Sequence, residues 1–263
     1  VRSESLHRQT WQKSVPPIVS RPIRRFRPRR TLEAVLRIHD TEIDAVLFDA
    51  GGIFVIPDPT VLAPLLAYFG ATHDLDVYHR AHYRGMAAKS AAGSTESDWS
   101  VYNVAYVETV GVPAREVEYA ADILGRTRNA WLWRWPLQDS VEALRRLHAR
   151  NIPIGVISNA TGQIADLLER SGVCQVGDGD GVPVRVIVDS HIVGVAKPDP
   201  RIFDFGLEAF GDIDRSRVAY VGDSVTMDVG GARAAGLFPV LLDPHDDHVG
   251  ADFHRVRSLM DLL

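Results

Sequence analysis

Ala45-Val46-Leu47-Phe48-Asp49-Ala50-Gly51-Gly52 is four apolar residues running directly into a carboxylate and a glycine-rich turn. A short, continuous apolar run bounded by turn residues reads as a strand covered on both faces. The glycines after it let backbone approach a ligand closely. Four later runs, at 152–157, 184–188, 218–221 and 239–242, have the same character. Amphipathic stretches separate most of them. Residues 140–150 place Val141, Leu144 and Leu147 at three-residue steps, and 161–171 bring Ile164, Leu167 and Leu168 together. This alternation predicts an α/β fold, with a parallel sheet and right-handed crossovers.

The ends of these runs carry the chemistry. The first ends in Asp49 and the second in Ser158-Asn159. The third leads through Asp189 to Lys197-Pro198-Asp199-Pro200, and the fourth enters Gly222-Asp223-Ser224, with Asp228 close behind. In open α/β sheets, ligands bind outside the carboxyl ends of the strands. One Asp at a strand end is ordinarily a turn or cap residue. Lys197 to Pro200 also suits a helix start with Asp199 as cap and Pro200 at the first helical position. Four separate loops that put suitable groups at one edge point instead to a shared site. Asp49, Asp223 and Asp228 gathered there would repel one another unless a cation neutralised them, and an oxygen-rich set suits Mg²⁺. A carboxylate can also act as a nucleophile. Lys197 would offset charge on Asp49 and on a transferring group. Ser158, and backbone N–H groups near Gly51, Gly52 and Asn159, would donate to an anion.

Between 57 and 136 the rhythm breaks. No buried strand is evident, and helices are expected around 60–69, 73–91, 96–109 and 113–129. Eighty residues far exceed an ordinary connection. The expected organisation is therefore a core of 41–57 and 137–263, with a helical domain at 58–136 closing over the sheet edge. Residues 1–40 form a third region, with a charge balance of +7 against −12 for the rest. Repelling arginines and several prolines predict a disordered tail there. A basic arm, a transit peptide and an over-extended start are the alternatives weighed for it.

Composition excludes other classes. The apolar fraction is 46% and the charged fraction 24% over 263 residues, enough to bury a core. Cys174 is the single cysteine, so neither a disulfide framework nor a thiolate zinc site is possible. It is expected to be a buried structural thiol. No apolar run is long enough to span a membrane, and the acidic body would repel nucleic acid. A small-molecule substrate and a cytoplasmic location are expected. Trp131, Trp133 and Trp135 are expected to pack where insert meets core. His245 and His248 fall in a polar loop, and Gly177 to Gly181 read as a flexible turn.

The ordered motifs resemble those of the haloacid dehalogenase (HAD) superfamily of phosphohydrolases and dehalogenases, in its helical-cap subgroup. They are Ala45 to Gly52, Val156-Ile157-Ser158-Asn159, Val195 to Phe203, and Tyr220-Val221-Gly222-Asp223-Ser224 with Asp228. The likeness runs over about residues 43–244, with 136–144 as a matching lead-in. It implies a Rossmann-like core with a helical cap between the first and second motifs. It also implies Asp49 as nucleophile, Ser158 as phosphate-binding hydroxyl and Lys197 as charge balance. Asp49, the Gly51 carbonyl, Asp223 and Asp228 would hold Mg²⁺. Gly52, Asn159 and Arg80 are candidates for contacting substrate, with Arg84 an alternative to Arg80.

One departure stands out. Phosphatases of this superfamily usually carry a second aspartate where this chain has Gly51, and that group handles the leaving-group proton. Its loss costs typically ~10²–10⁴ in rate. Three functions follow. One is a Mg²⁺-dependent phosphohydrolase working through an aspartyl-phosphate, weakened or using another proton source. The second is a 2-haloacid dehalogenase, whose halide leaves without a proton. The third is a non-catalytic phosphate-binding or regulatory module. If geometry tolerates the side chain, Gly51→Asp should raise phosphatase turnover.

Overall fold

The computed structural model describes residues 36–263. The expected tail therefore lies outside the described residues up to position 35. Its last positions differ from expectation: Leu36 and Ile38 are buried core residues in a strand. In chain order the elements begin with β1 (Leu36–Ile38), β2 (Thr41–Ile43), β3 (Ala45–Phe48) and β4 (Val55–Pro57). Four helices follow: α1 (Pro59–Ala67), α2 (Leu75–Ala91), α3 (Ser100–Thr109) and α4 (Val117–Thr127). Then come β5 (Trp133–Pro136), α5 (Gln138–Ala149), β6 (Ile154–Ser158), α6 (Ile164–Arg170), β7 (Cys174–Val176) and β8 (Val182–Val184). The remainder is β9 (Ile187–Asp189), α7 (Ser190–Val193), α8 (Arg201–Leu207), β10 (Val218–Gly222), α9 (Gly230–Ala234), β11 (Phe238–Leu242) and β12 (His254–Val256).

Six of these strands make one parallel sheet in the order β12-β11-β10-β3-β6-β9. This is the doubly wound order of a Rossmann-like sheet, with β3 central and the order reversing between β3 and β10. Period-two alternation divides the side chains of β3 between two layers. Val46 and Phe48 pack with Val141, Leu144 and Leu147 of α5 and Ile164, Leu167 and Leu168 of α6. Ala45 and Leu47 pack on the other face with Ile202 and Phe203 of α8 and Ala232 of α9. Because both faces are covered, the run reads as uniformly apolar. Cys174 sits buried in the first of these layers, and burial pushes its thiol up to about 12.

The run at 184–188 is not one strand. Val184 ends β8, which pairs with β7 in a small side sheet, while Val188 lies in β9 at the edge of the main sheet. Both valines are buried, on different faces, so hydrophobicity does not record the change of pairing partner. Strand β12 has one buried residue, Val256, and an edge position leaves the rest polar. The interval from 57 to 136 ends in a strand that is half-buried to exposed, so no apolar run marks it. Trp133–Pro136 pairs antiparallel with Val55–Pro57, so the two ends of the helical segment are hydrogen-bonded together.

Helices α1–α4 pack around their own apolar cluster, centred on Leu62, Leu66, Tyr78, Tyr102, Tyr106 and Leu124. Asp58 caps α1 by accepting from the Thr60 N–H, and its other oxygen pairs with Arg134 of β5. The α2 helix also meets the loop after β11. Arg80 makes two hydrogen bonds of 3.0 Å to Asp247, Arg84 reaches the same carboxylate, and the His79 ring packs against His245 and Tyr83.

That contact gives a pH dependence. Burial holds His79 down at about 4, with His82 and His245 adding to the effect and Asp76 opposing it. The unfolded chain binds this proton near pH 6.5. Stability from the neutral ring is therefore complete above about 6.5 and declines as pH falls towards 4. Denaturant midpoints across this window should fall with acid in the wild type. His79→Gln should flatten that part of the curve.

Candidate active site

The carboxyl edge of the sheet brings Asp49, after β3, beside Asp223, after β10. Lys197, from the loop before α8, is 2% exposed and lies between carboxylates. Its Nζ is 3.0 Å from Asp49 Oδ2 and 2.7 Å from Asp228 Oδ1. It also donates to Tyr220 Oη at 2.8 Å, and that hydroxyl donates to the Ile157 carbonyl. Asn159 pins the lysine backbone in both directions: its Oδ1 accepts from the Lys197 N–H and its Nδ2 donates to the Lys197 carbonyl. The amide expected to touch substrate thus works largely on Lys197, although it also lines the cavity described below.

Asp228 is carried by the wide helical turn Val225–Val229, which Ser224 caps by accepting from the Met227 N–H. Its Oδ2 accepts from the backbone N–H groups of Asp223 and Ser224, so the loop after β10 is folded onto this carboxylate. Gly52 has φ of 70°, and a Cβ there would lie 1.9 Å from Asp223 Oδ2. Only glycine lets this turn pass so close to the acid. The Tyr83 hydroxyl holds the turn by donating to the Gly52 carbonyl at 2.7 Å.

The electrostatics are those of a crowded anion site. One oxygen from each of Asp49, Asp223 and Asp228 lies within 4.8 Å of the others. Burial raises Asp49 to about 7; Lys197 opposes this, and the Asp228 and Asp223 charges add to it. Burial, then Asp228, pushes Asp223 well above the carboxylate range. Burial alone would lower Lys197, but the charges of Asp228 and Asp49 keep it protonated. One ammonium, paired with Asp49 and Asp228, is too little for all three carboxyls to carry negative charge together, and burial and repulsion hold Asp49 and Asp223 up. A divalent, oxygen-preferring cation would balance that charge, so the donor set fits Mg²⁺. Asp49, Asp223, Asp228 and the Gly51 carbonyl would hold the ion.

These groups line a cavity of about 450 Å³ with Gly51 and Ser158. Helices α1–α4 and their connections supply Met86, Lys89, Glu96, Trp99, Arg128 and Trp133 to the same cavity. Arg80 is not among its lining residues and is spent on Asp247. Trp133 is half-buried and faces Gly51, while Trp131 and Trp135 are exposed. His245 packs with His79 and Tyr83.

Sequence reading missed His82. This α2 residue is fully buried, with Nε2 2.9 Å from Asp223 Oδ2 and Nδ1 3.0 Å from Tyr102 Oη. Burial, and then Arg128, lowers it to about 3, so the ring is neutral. The neutral ring is thus hydrogen-bonded on both sides, to Asp223 through Nε2 and to the Tyr102 hydroxyl through Nδ1. The helical segment is thereby tied to Asp223. No local pattern signals this, since the partners are 141 residues apart.

The Gly51 position also has a structural reason. A Cβ built there would lie 3.1 and 3.3 Å from two atoms of the Trp133 ring. A side chain at this position requires the Trp133 ring to give by a few tenths of an ångström. Gly51→Asp is therefore expected to lose about 1–3 kcal/mol of stability through overpacking, read as a lower denaturation midpoint. Restored turnover is not expected unless Trp133 is also reduced in size.

Comparison with known proteins agrees with this architecture. Pyrimidine 5'-nucleotidase YjjG of Escherichia coli is 39% identical over 111 residues, covering 42% of this chain and 46% of that protein. Phosphoserine phosphatase of Thermus thermophilus is 32% identical over 168 residues, 62% of each. Both matches thus span less than two thirds of the relative's length. A solved structure of a dehalogenase with an intermediate complex aligns with a TM-score of 0.51 at 18% identity, covering 84% of this chain and 95% of that one. That likeness concerns the fold alone. The model of the haloacid dehalogenase-like hydrolases matches residues 43–236, taking in all four strand-end loops, and the chain belongs to that family of hydrolases.

Proposed function

We propose that this hydrolase is a Mg²⁺-dependent phosphohydrolase acting on a small phosphorylated metabolite through an aspartyl-phosphate on Asp49. The observation that carries the reading is the cluster of Asp49, Asp223 and Asp228 oxygens within 4.8 Å, bridged by Lys197. Asp49 is oriented for attack by Lys197 on one oxygen and by the Ala50 N–H, at 2.7 Å, on the other. Its carboxylate forms a bond to phosphorus as the bond to the leaving oxygen breaks on the opposite side. Ser158 donates to a phosphoryl oxygen, and Lys197 offsets the charge that develops. When bound, Mg²⁺ neutralises the carboxylates and polarises the phosphoryl oxygens. Water then hydrolyses the aspartyl-phosphate. Helices α1–α4 act as a cap that bounds the substrate. A cavity of about 450 Å³ suits a metabolite, in keeping with two relatives named for small phosphorylated compounds. Among the described residues, no helix is long and apolar enough to cross a membrane.

The test is a paired assay. Hydrolysis of an aryl phosphate that requires Mg²⁺ and stops with chelator is the expected result. Mg²⁺ should also raise the denaturation temperature of the wild type, by about 2.7 kcal/mol of added stability at a hundredfold excess over Kd. It should not do so in Asp223→Asn.

The Gly51–Trp133 contact favours one second reading, a 2-haloacid dehalogenase in which Asp49 displaces a halide that needs no proton. Chloride release from 2-chloropropionate that ignores chelator, without phosphate release, would establish it instead.

A further inference from the structure

We propose that Glu96, from the connection between α2 and α3, donates the proton to the leaving oxygen and later takes one from the attacking water. This rests on the phosphohydrolase reading and supplies the function that Gly51 lacks.

Position is the first argument. In-line displacement puts the arriving and departing oxygens on opposite sides of phosphorus. Asp49 occupies the sheet side of the cavity. The leaving oxygen, and afterwards the water, must then stand on the side built by the helical segment. Glu96 lines the cavity from that segment. Its carboxyl is close enough to the sheet-edge loops to interact with Asn159 and with the charges of Lys197 and Asp228.

Elimination among the described cavity-lining residues points to the same group. The carboxyls are Asp49, Glu96, Asp223 and Asp228. Asp49 is the nucleophile, Asp223 is hydrogen-bonded to His82 within the carboxylate cluster, and Asp228 is held by Lys197 and two backbone N–H groups. Lys197 is held by Asp49, Asp228 and Tyr220, Lys89 is held by the Glu96 and Asp98 carbonyls, and Arg128 does not give up a proton in proteins. The hydroxyls of the lining are too weak as acids to serve at neutral pH.

A third observation concerns anchoring. Lys89, 2% exposed on α2, donates to the carbonyls of Glu96 and Asp98, each at 2.9 Å, and lies over the Trp99 ring. A buried ammonium is thus used to fix the backbone of this loop, which holds the Glu96 side chain at the cavity wall. The groups facing Glu96 are Lys89 from α2, Arg128 after α4, Asn159 after β6, Lys197, and Asp223 and Asp228 after β10. Burial shifts its carboxyl upward against the pull of Asn159, Lys197 and Lys89, and the Asp228 charge adds to the rise. A raised carboxyl keeps more of the acid form near neutral pH, as a general acid requires.

As the phosphorus–oxygen bond to the alcohol breaks, its electron pair goes to the leaving oxygen, which takes the Glu96 proton. The water that cleaves the aspartyl-phosphate returns a proton to Glu96 and frees the Asp49 carboxylate.

The test uses Glu96→Gln with Mg²⁺ and two substrates, a simple alkyl phosphate and p-nitrophenyl phosphate. The phenolate leaves without a proton and the alkoxide does not. For the alkyl ester, kcat/KM should fall by ~10²–10⁴. For the aryl ester kcat/KM should be nearly unchanged, while steady-state turnover slows and a burst of p-nitrophenolate appears as phosphoenzyme accumulates. Glu96→Asp should recover part of the alkyl activity. Equal falls in kcat/KM on both esters would mean a packing or binding role and would overturn the proposal, as would an unchanged alkyl rate. A wild-type protein that cleaves the aryl ester but no alkyl ester would also overturn it, leaving the phosphohydrolase reading intact. Cleavage of neither ester with Mg²⁺ would sink that reading itself.

Discussion

Asp49→Asn is expected to lower turnover of phosphate esters by on the order of 10⁵–10⁶, as removal of a nucleophile does elsewhere, while the protein stays folded. The amide matches the carboxylate in shape but has neither its charge nor a lone pair free to attack phosphorus at a useful rate. The fold should survive because the substitution also removes one of three crowded carboxylates, and repulsion from Asp228 and Asp223 contributes to raising Asp49 to about 7. Circular dichroism and the denaturation midpoint should therefore stay near wild type. Mass spectrometry of protein quenched during turnover should show a phosphoryl adduct on the wild type and none on the variant. Substantial residual turnover in Asp49→Asn would remove Asp49 from the role of nucleophile.

Lys197→Met should destabilise the protein by about 3–5 kcal/mol, the cost of leaving buried charge without its partner, and should also abolish turnover. Lys197 is 2% exposed and contacts two carboxylates and a tyrosine, so its loss strands Asp49 and Asp228 together. Methionine fills nearly the same volume, so packing is not what is lost. Combining Lys197→Met with Asp49→Asn should recover part of the stability, because the charge left unpaired is then smaller. Urea midpoints of the four proteins measure this coupling directly. Additive effects would mean that Lys197 and Asp49 are not electrostatically linked.

These two predictions concern residues that were legible from local pattern. Asp49, Ser158 and Asp223 each follow or end a run whose both-face burial makes it uniformly apolar, and β3, β6 and β10 lie within two residues of expectation. Elsewhere local pattern was insufficient. Arg80 looked available on α2, yet its guanidinium is committed to Asp247 in the loop after β11. The run at 184–188 hid a change of pairing partner, because a buried valine is equally apolar in either sheet. Trp133 belongs to a strand whose partner lies some eighty residues earlier.

The order of polar groups at strand ends, and with it the family, was legible in the sequence alone, because burial on both faces and the chemistry of the next residue are local properties. What the helical segment contributes was decided only by tertiary packing. Helical periodicity states that one face of α2 is buried. It cannot state that His82 reaches Asp223, that Trp133 covers Gly51, or that Glu96 turns into the cavity. Those contacts join stretches whose separation in the chain carries no local signal, and they exist only once the two ends of the segment close against each other at β4 and β5.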